Sequence, residues 1–278
     1  MTLNEFEFQV AGITLHGQYY SPKITNAVII LVHGLGEHSK RYEREVVPAL
    51  LINSLAVISY DQFGHGRSKG KRGHHPGFSF LLDSIDQMIH KASELFHGKP
   101  VFLYGHSMGG NIVINYSLRR SSILKGLIVT SPLLRIAFEP PQWKMTFARI
   151  IDKIMPSLTM SSDLDVNSIS RDQDEIAAYQ LDPMVHDRVS TGYSLEIMKN
   201  GEWAIEHAND LKLPMLLLHG TKDRLTSYVA SEEFANKSEK VQLILFENAY
   251  HELHHDLDKD KVLENIISWI KDELQLTK

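Results

Sequence analysis

Val101-Phe102-Leu103-Tyr104-Gly105-His106-Ser107-Met108-Gly109-Gly110 decides how this chain is read. Four apolar residues without polar alternation describe a strand buried on both faces, and Asn111 to Leu118 carries the spacing of a helix. Between them stands G-x-S-x-G on a strand-to-helix turn so sharp that the residues two positions either side of the serine must be small. The helix that follows aims its first N–H groups and positive end at the place where negative charge develops. Ser107 is the candidate nucleophile, and the Met108 N–H a candidate oxyanion donor. A glycine-rich turn chosen only for close packing would show the same glycines without the partners that a serine nucleophile needs.

Those partners can be sought outward along the chain. A second oxyanion donor is expected on the loop after an earlier strand. His33-Gly34-Leu35-Gly36 follows the apolar run from Ala27 to Val32, so the Leu35 N–H is the expected donor. Serine is a weak nucleophile until a base takes its proton, and the base needs a carboxylate to orient it. The chain has 15 histidines, so position must choose among them. In α/β-hydrolases, whose serine-bearing turn this one resembles, acid and base follow in that order on loops beyond late strands. Asp223 comes after the run Met215 to Leu218, and His251 after Val241 to Phe246. Taken singly, Asp223 could cap a helix and His251 could be a surface histidine. As an ordered set, Ser107, Asp223 and His251 read as a catalytic triad.

The surrounding pattern predicts an α/β fold. Phe6, Phe8 and Val10, then Ile13 and Leu15, alternate as an antiparallel pair of strands. Continuous apolar runs at 27–32, 55–60, 101–104, 127–130, 215–218 and 241–246 alternate with helical stretches, which predicts a mostly parallel sheet. The rhythm stops after Pro132. From Leu133 to about Glu206 no strand is legible. Trp143, Phe147, Ile150, Ile151 and Ile154 fall on one helical face, Pro156 closes that helix, and a later helix is expected over Met184 to Lys199. The expected organisation is a core of residues 1–132 and 207–278 with a helical cap inserted at 133–206. The apolar cap face, with Phe147 and Ile151 as its test positions, is expected either to line an acyl tunnel and touch lipid aggregates or to pack onto the core.

Composition narrows the function. With 278 residues, 43% of them hydrophobic, the chain can bury a large core, and its formal charge of -5 makes nucleic acid a poor partner. Having no cysteine, it can use neither a thiolate nucleophile nor thiolate metal ligands. The N-terminal stretch alternates like a strand instead of reading as a signal peptide, and no apolar run is long enough to span a bilayer. A cytoplasmic location, with membrane contact at most peripheral, is the expectation.

Five stretches, in order along nearly the whole chain, resemble the serine-dependent α/β-hydrolases of the monoacylglycerol lipase and lysophospholipase-like group. They are His33-Gly34-Leu35-Gly36-Glu37-His38-Ser39-Lys40-Arg41-Tyr42-Glu43, Asp61-Gln62-Phe63-Gly64-His65-Gly66-Arg67-Ser68, Gly105 to Gly110, Asp182-Pro183-Met184-Val185-His186, and Ala249-Tyr250-His251. The resemblance implies an eight-stranded sheet, a helical cap after the sixth strand, and hydrolysis of a lipid carboxylic ester, with monoacylglycerol or lysophospholipid as substrate. It also implies that Glu37, Arg41 and His254 look toward the glycerol end of the substrate. Neither a metal nor an organic cofactor is implied.

Other readings compete. His251-Glu252-Leu253-His254-His255 satisfies H-E-x-x-H, but zinc chemistry needs those histidines on a well-supported helix, and only a few residues separate them from a strand. A general carboxylesterase, a thioesterase or an aminopeptidase would use the same triad. A noncatalytic binding protein on this fold would ordinarily lack a triad member.

Overall fold

In the computed structural model, residues 2–120, 123–139 and 141–275 are described; residue 1 and residues 276–278, the outer ends of the expected core, lie outside them. The apolar runs become the strands of one eight-stranded sheet. These are β1 (Thr2–Val10), β2 (Ile13–Ser21), β3 (Ala27–Val32), β4 (Leu55–Tyr60), β5 (Val101–His106), β6 (Leu124–Thr130), β9 (Met215–Gly220) and β10 (Val241–Phe246). Their spatial order is β1-β2-β4-β3-β5-β6-β9-β10. The strands from β4 to β10 pair in parallel, and β1, β2 and β4 pair antiparallel.

Period-two alternation sorts each central strand between two cores. Val28, Ile30 and Val32 of β3 join Leu103 of β5 in packing against α2 (Phe78–Leu95) and α3 (Met108–Arg119). Ala27, Ile29 and Leu31 face the opposite way, with Phe102 and Tyr104, onto α1 (Val46–Ile52) and α8 (Lys259–Gln275). Because both faces are covered, β3, β4, β5 and β9 are buried at every position, which is why they read as unbroken apolar runs. Burying each Leu, Ile or Phe side chain contributes about 1.5–3 kcal/mol, and this rigid frame fixes the loops at the strands' C-terminal ends. The nucleophile, acid and base candidates stand on those loops.

Between β6 and β9 the chain leaves the main sheet. It forms α4 (Gln142–Ile154), β7 (Thr159–Ser161), α5 (Gln173–Leu181), β8 (Arg188–Ser190) and α6 (Thr191–Glu206), with α7 (Tyr228–Asn236) following β9. This differs from the sequence expectation in three ways. β7 and β8 pair as a small antiparallel sheet where no strand was legible, because three-residue strands are too short to show alternation. The later helix starts at Thr191 instead of near Met184, capped by the Ser190 side chain, which accepts from Tyr193 N–H. The helix α5 is additional: its buried face holds Ile176 and Tyr179 but also Glu175, so the apolar stripe is broken by a carboxylate.

The insertion is tied to the loops of the sheet through its backbone. His186 N–H donates to Gly36 O at 2.8 Å, Ser190 N–H to Gly73 O at 2.6 Å and Glu252 N–H to Ile169 O at 2.7 Å. Gly36 has φ +78°, and a Cβ there would lie 2.3 Å from His186 O. Only glycine fits that contact without displacing one strand of backbone from the other.

Candidate active site

Ser107 occupies the turn between β5 and α3 with φ 53° and ψ -116°, a strained conformation for a residue with a side chain. Its backbone is held on both sides: Ser107 N–H donates to Thr130 O at 3.0 Å, and Ser107 O accepts from Leu133 N–H at 2.9 Å. A Cβ on Gly109 would lie 2.0 Å from Val32 O, so the turn can nest against β3 only with glycine at that position.

The three residues chosen from their order meet in space. His251 Nε2 lies 2.9 Å from Ser107 Oγ, and His251 Nδ1 lies 2.7 Å from Asp223 Oδ2. Asp223 is a carboxylate and can only accept, so Nδ1 carries the proton and Nε2 is left to accept from the serine hydroxyl. The acid is itself pinned. Asp223 Oδ1 accepts from the N–H groups of Leu225 and Thr226 at 2.8 and 3.0 Å, while Oδ2 accepts from Thr226 Oγ1 at 2.7 Å and His219 Nε2 at 3.1 Å. Burial works against its charge, but His251 and then His219 outweigh it and hold the Asp223 carboxyl far below the usual range. For His251, burial opposes the imidazolium, yet the Asp223 carboxylate, with Glu252 and Glu37 adding to it, raises the ring above the ordinary histidine value. Thr226 and His219 were not anticipated from the sequence; nothing in their spacing distinguishes them from structural residues.

Among the described residues the backbone N–H groups of Leu35 and Met108 have no hydrogen-bond partner, and both residues line the cavity that contains Ser107. The loop bearing Leu35 is fixed by Glu37, whose Oε1 accepts from Gly34 N–H at 2.5 Å and from Tyr42 Oη–H at 2.8 Å. A Cβ on Gly34 would touch both Glu37 Oε1, at 2.9 Å, and Ser107 Cβ, at 3.2 Å, so Glu37 stands next to the serine with one glycine between them.

The cavity has a volume of about 810 Å³. Its walls are mainly apolar, built by Leu133, Ile136, Phe147, Tyr193, Ile197 and Leu225 among others, with Ser107 and His251 at one side. Of the residues expected at the substrate, Glu37 and Phe147 line this cavity; Arg41, His254 and Ile151 do not. Arg41 lies behind Glu37, its Nε 3.5 Å from Glu37 Oε2, and donates through Nη2 to Glu252. The expected direct contact of His254 with substrate is corrected: the ring is wholly buried, stacked on Tyr42 at 4.8 Å and edge-on to His106 at 4.7 Å, with no hydrogen-bond partner on either nitrogen among the described residues. Burial, with His255 and Arg41 nearby, pushes it well below the ordinary histidine value, so it serves as a neutral aromatic spacer. Ile151 is half-buried on α4 and is not among the residues that line the cavity with Phe147.

The H-E-x-x-H stretch is not helical as a ligand pair would require. Leu253–His255 is a single 3-10 turn, the two nitrogens of His251 contact Asp223 and Ser107, and His255 is engaged by Glu252 at 3.0 Å and by Arg41 O at 3.1 Å. Among the described residues no group of three or more His, Asp or Glu is disposed to hold a metal ion. Among them, too, no helix is long and apolar enough to cross a membrane.

Comparison with known proteins identifies the chain's family. The family described as Hydrolase_4, "Serine aminopeptidase, S33", matches residues 23–258. The chain is 34% identical over 270 residues to an uncharacterized abhydrolase domain-containing protein of Dictyostelium discoideum, of which it spans 28%. It is 30% identical to the monoacylglycerol lipase of Mycolicibacterium smegmatis, covering 98% of this chain and 99% of that one. The crystal structure of Paleococcus ferrophilus monoacylglycerol lipase superposes with a TM-score of 0.86 at 32% identity, covering 93% of this chain and 99% of that one.

Proposed function

Since the chain belongs to the Hydrolase_4 family and is a lipid-ester hydrolase of the serine type, we propose that it cleaves monoacylglycerols through an acyl intermediate on Ser107. The carrying observation is the Ser107–His251–Asp223 relay at the wall of an apolar cavity of about 810 Å³. His251 Nε2 takes the hydroxyl proton as Ser107 Oγ attacks the ester carbonyl carbon. The carbonyl oxygen becomes the oxyanion, accepting from the free N–H groups of Leu35 and Met108. As the C–O bond breaks, His251 returns that proton to the departing alcohol. Water then attacks the acyl-serine carbonyl with the same base, releasing the fatty acid and restoring the serine.

Residues 133–206 act in this reading as a cap over the site. Phe147 lines the acyl end, and the exposed side chains of Trp143, Ile150 and Ile154 on the same helix meet the lipid aggregate from which substrate enters. At the alcohol end, Glu37 Oε2 and Arg41 Nε are buried without hydrogen-bond partners. A polyol hydroxyl at the cavity wall would donate to Glu37 Oε2, which Arg41 supports from behind. The reading rests on similarity to the M. smegmatis and P. ferrophilus lipases as well as on this donor–acceptor pair.

The test is a panel of monoacylglycerols, lysophospholipids, short-chain esters and aminoacyl amides assayed with the purified protein. Monoacylglycerols are expected to give the highest kcat/KM. A preference for aminoacyl amides or for short soluble esters would contradict the proposal.

A further inference from the structure

Ser131 directly follows β6, where the chain leaves for the insertion, and has no place in the triad or the oxyanion hole. It is nevertheless wholly buried, and its φ of 46° is a left-handed conformation that glycine adopts freely and a residue with a Cβ does not. Glycine would sit there unstrained; the serine is kept in place by what its hydroxyl reaches. Ser131 Oγ donates to His251 O at 2.7 Å. Among the described residues no other side chain hydrogen-bonds the main chain of His251, whose carbonyl otherwise accepts only from Leu253 N–H, two residues along its own loop, at 3.1 Å. The backbone on either side of Ser131 grips the nucleophile, since Thr130 O accepts from Ser107 N–H and Leu133 N–H donates to Ser107 O. Ser131 N–H is itself fixed to Leu218 O of β9 at 2.8 Å, and Ser131 O lies 3.1 Å from Thr226 Oγ1, the hydroxyl that donates to Asp223. The stretch 130–133 thus touches the loops of all three triad members.

We propose that Ser131 is a positioning residue: its hydroxyl ties the loop of His251 to the stretch that grips Ser107, and so sets the distance and aim of the imidazole between nucleophile and acid. The inference rests on the triad reading above. Without the hydroxyl, His251 O keeps only its local bond to Leu253 N–H, and the ring is free to drift from Ser107 and Asp223 together. Drift from Ser107 spoils the alignment in which the serine proton is transferred. Drift from Asp223 weakens the 2.7 Å contact that raises the ring's proton affinity. The other titratable groups around the ring are unaltered by a change at Ser131: Glu37 on the loop after β3, His106 at the end of β5, His219 beyond Asp223, and Glu252 and His254 on the ring's own loop. A shift in the titration of His251 therefore reports its contact with Asp223.

The experiment measures the second-order rate at which a fluorophosphonate labels Ser107, as a function of pH, in the wild-type protein, Ser131→Gly and Ser131→Ala, together with the low-field proton NMR signal of His251 Nδ1–H. Glycine relieves the backbone and alanine does not, while neither carries a hydroxyl, so a change shared by both belongs to the lost hydrogen bond and not to the strain. Both variants are expected to label about tenfold more slowly than wild type on the plateau, with the acid limb moved to lower pH and the NMR signal moved upfield. Melting curves establish that each variant is folded. A folded Ser131→Gly protein that labels as fast as wild type would overturn the inference. So would slower labelling with the limb and the NMR signal unmoved, which is loosened packing alone. A wild-type protein whose Ser107 the reagent does not label would instead remove the triad reading, and this inference with it.

Discussion

Asp223 illustrates what single residues contribute. Its carboxylate holds the His251 tautomer and raises the ring's proton affinity, and its five hydrogen-bond donors leave it no freedom to turn. Asp223→Asn presents an amide to Nδ1, which favours the wrong tautomer, and kcat is expected to fall by about 10⁴-fold with the fold intact. The pH profile gives a separate check. His251 must be neutral to act as base, so kcat/KM should fall as pH drops through a value above that of an ordinary histidine. In the residual activity of Asp223→Asn the limb should move to lower pH, because the charge that raised it is gone. An unmoved limb would assign the titration to another group. The triad was legible because a turn motif and chain order constrain it. Glu252 was legible only as part of a metal motif, since its actual partner, Arg41, is 211 residues away in sequence and only the fold brings them together.

At the scale of elements, legibility followed the strength of the periodic signal. Strands covered on both faces stood out as apolar runs, and α4 stood out by its stripe, but α5 carries Glu175 on its buried face, and β7 and β8 span three residues each. The stripe on α4 could not by itself say which surface it met. In the structure it divides: Trp143 and Phe147, both exposed, line the cavity, Ile150 and Ile154 are exposed outside its wall, and Ile151 is half-buried and not part of that wall. Phe147→Ser is therefore expected to lower kcat/KM selectively for long-chain monoacylglycerols, each methylene that loses contact costing up to about 0.8 kcal/mol, while Tm stays near wild type. Ile151→Ser should leave chain-length preference unchanged. A comparison of C8 to C18 substrates reads both outcomes, and the same chain-length profile for Phe147→Ser as for wild type would take α4 out of the acyl site.

Across the whole molecule, the sheet brings together loops from positions 33–41, 107, 223 and 251–255, and the insertion is tied to them by backbone hydrogen bonds at Gly36, Gly73 and Ile169. On the proposed reading, the chemistry rests on loops of the sheet and the acyl wall largely on the insertion. The central claim is that lipid-ester cleavage passes through Ser107. Its most direct test is mass spectrometry of the protein acid-quenched during monoacylglycerol turnover. One acyl group per chain, on the peptide containing Ser107 and absent from Ser107→Ala, is the predicted result; an acyl group on any other residue, or undiminished hydrolysis by Ser107→Ala, would contradict it.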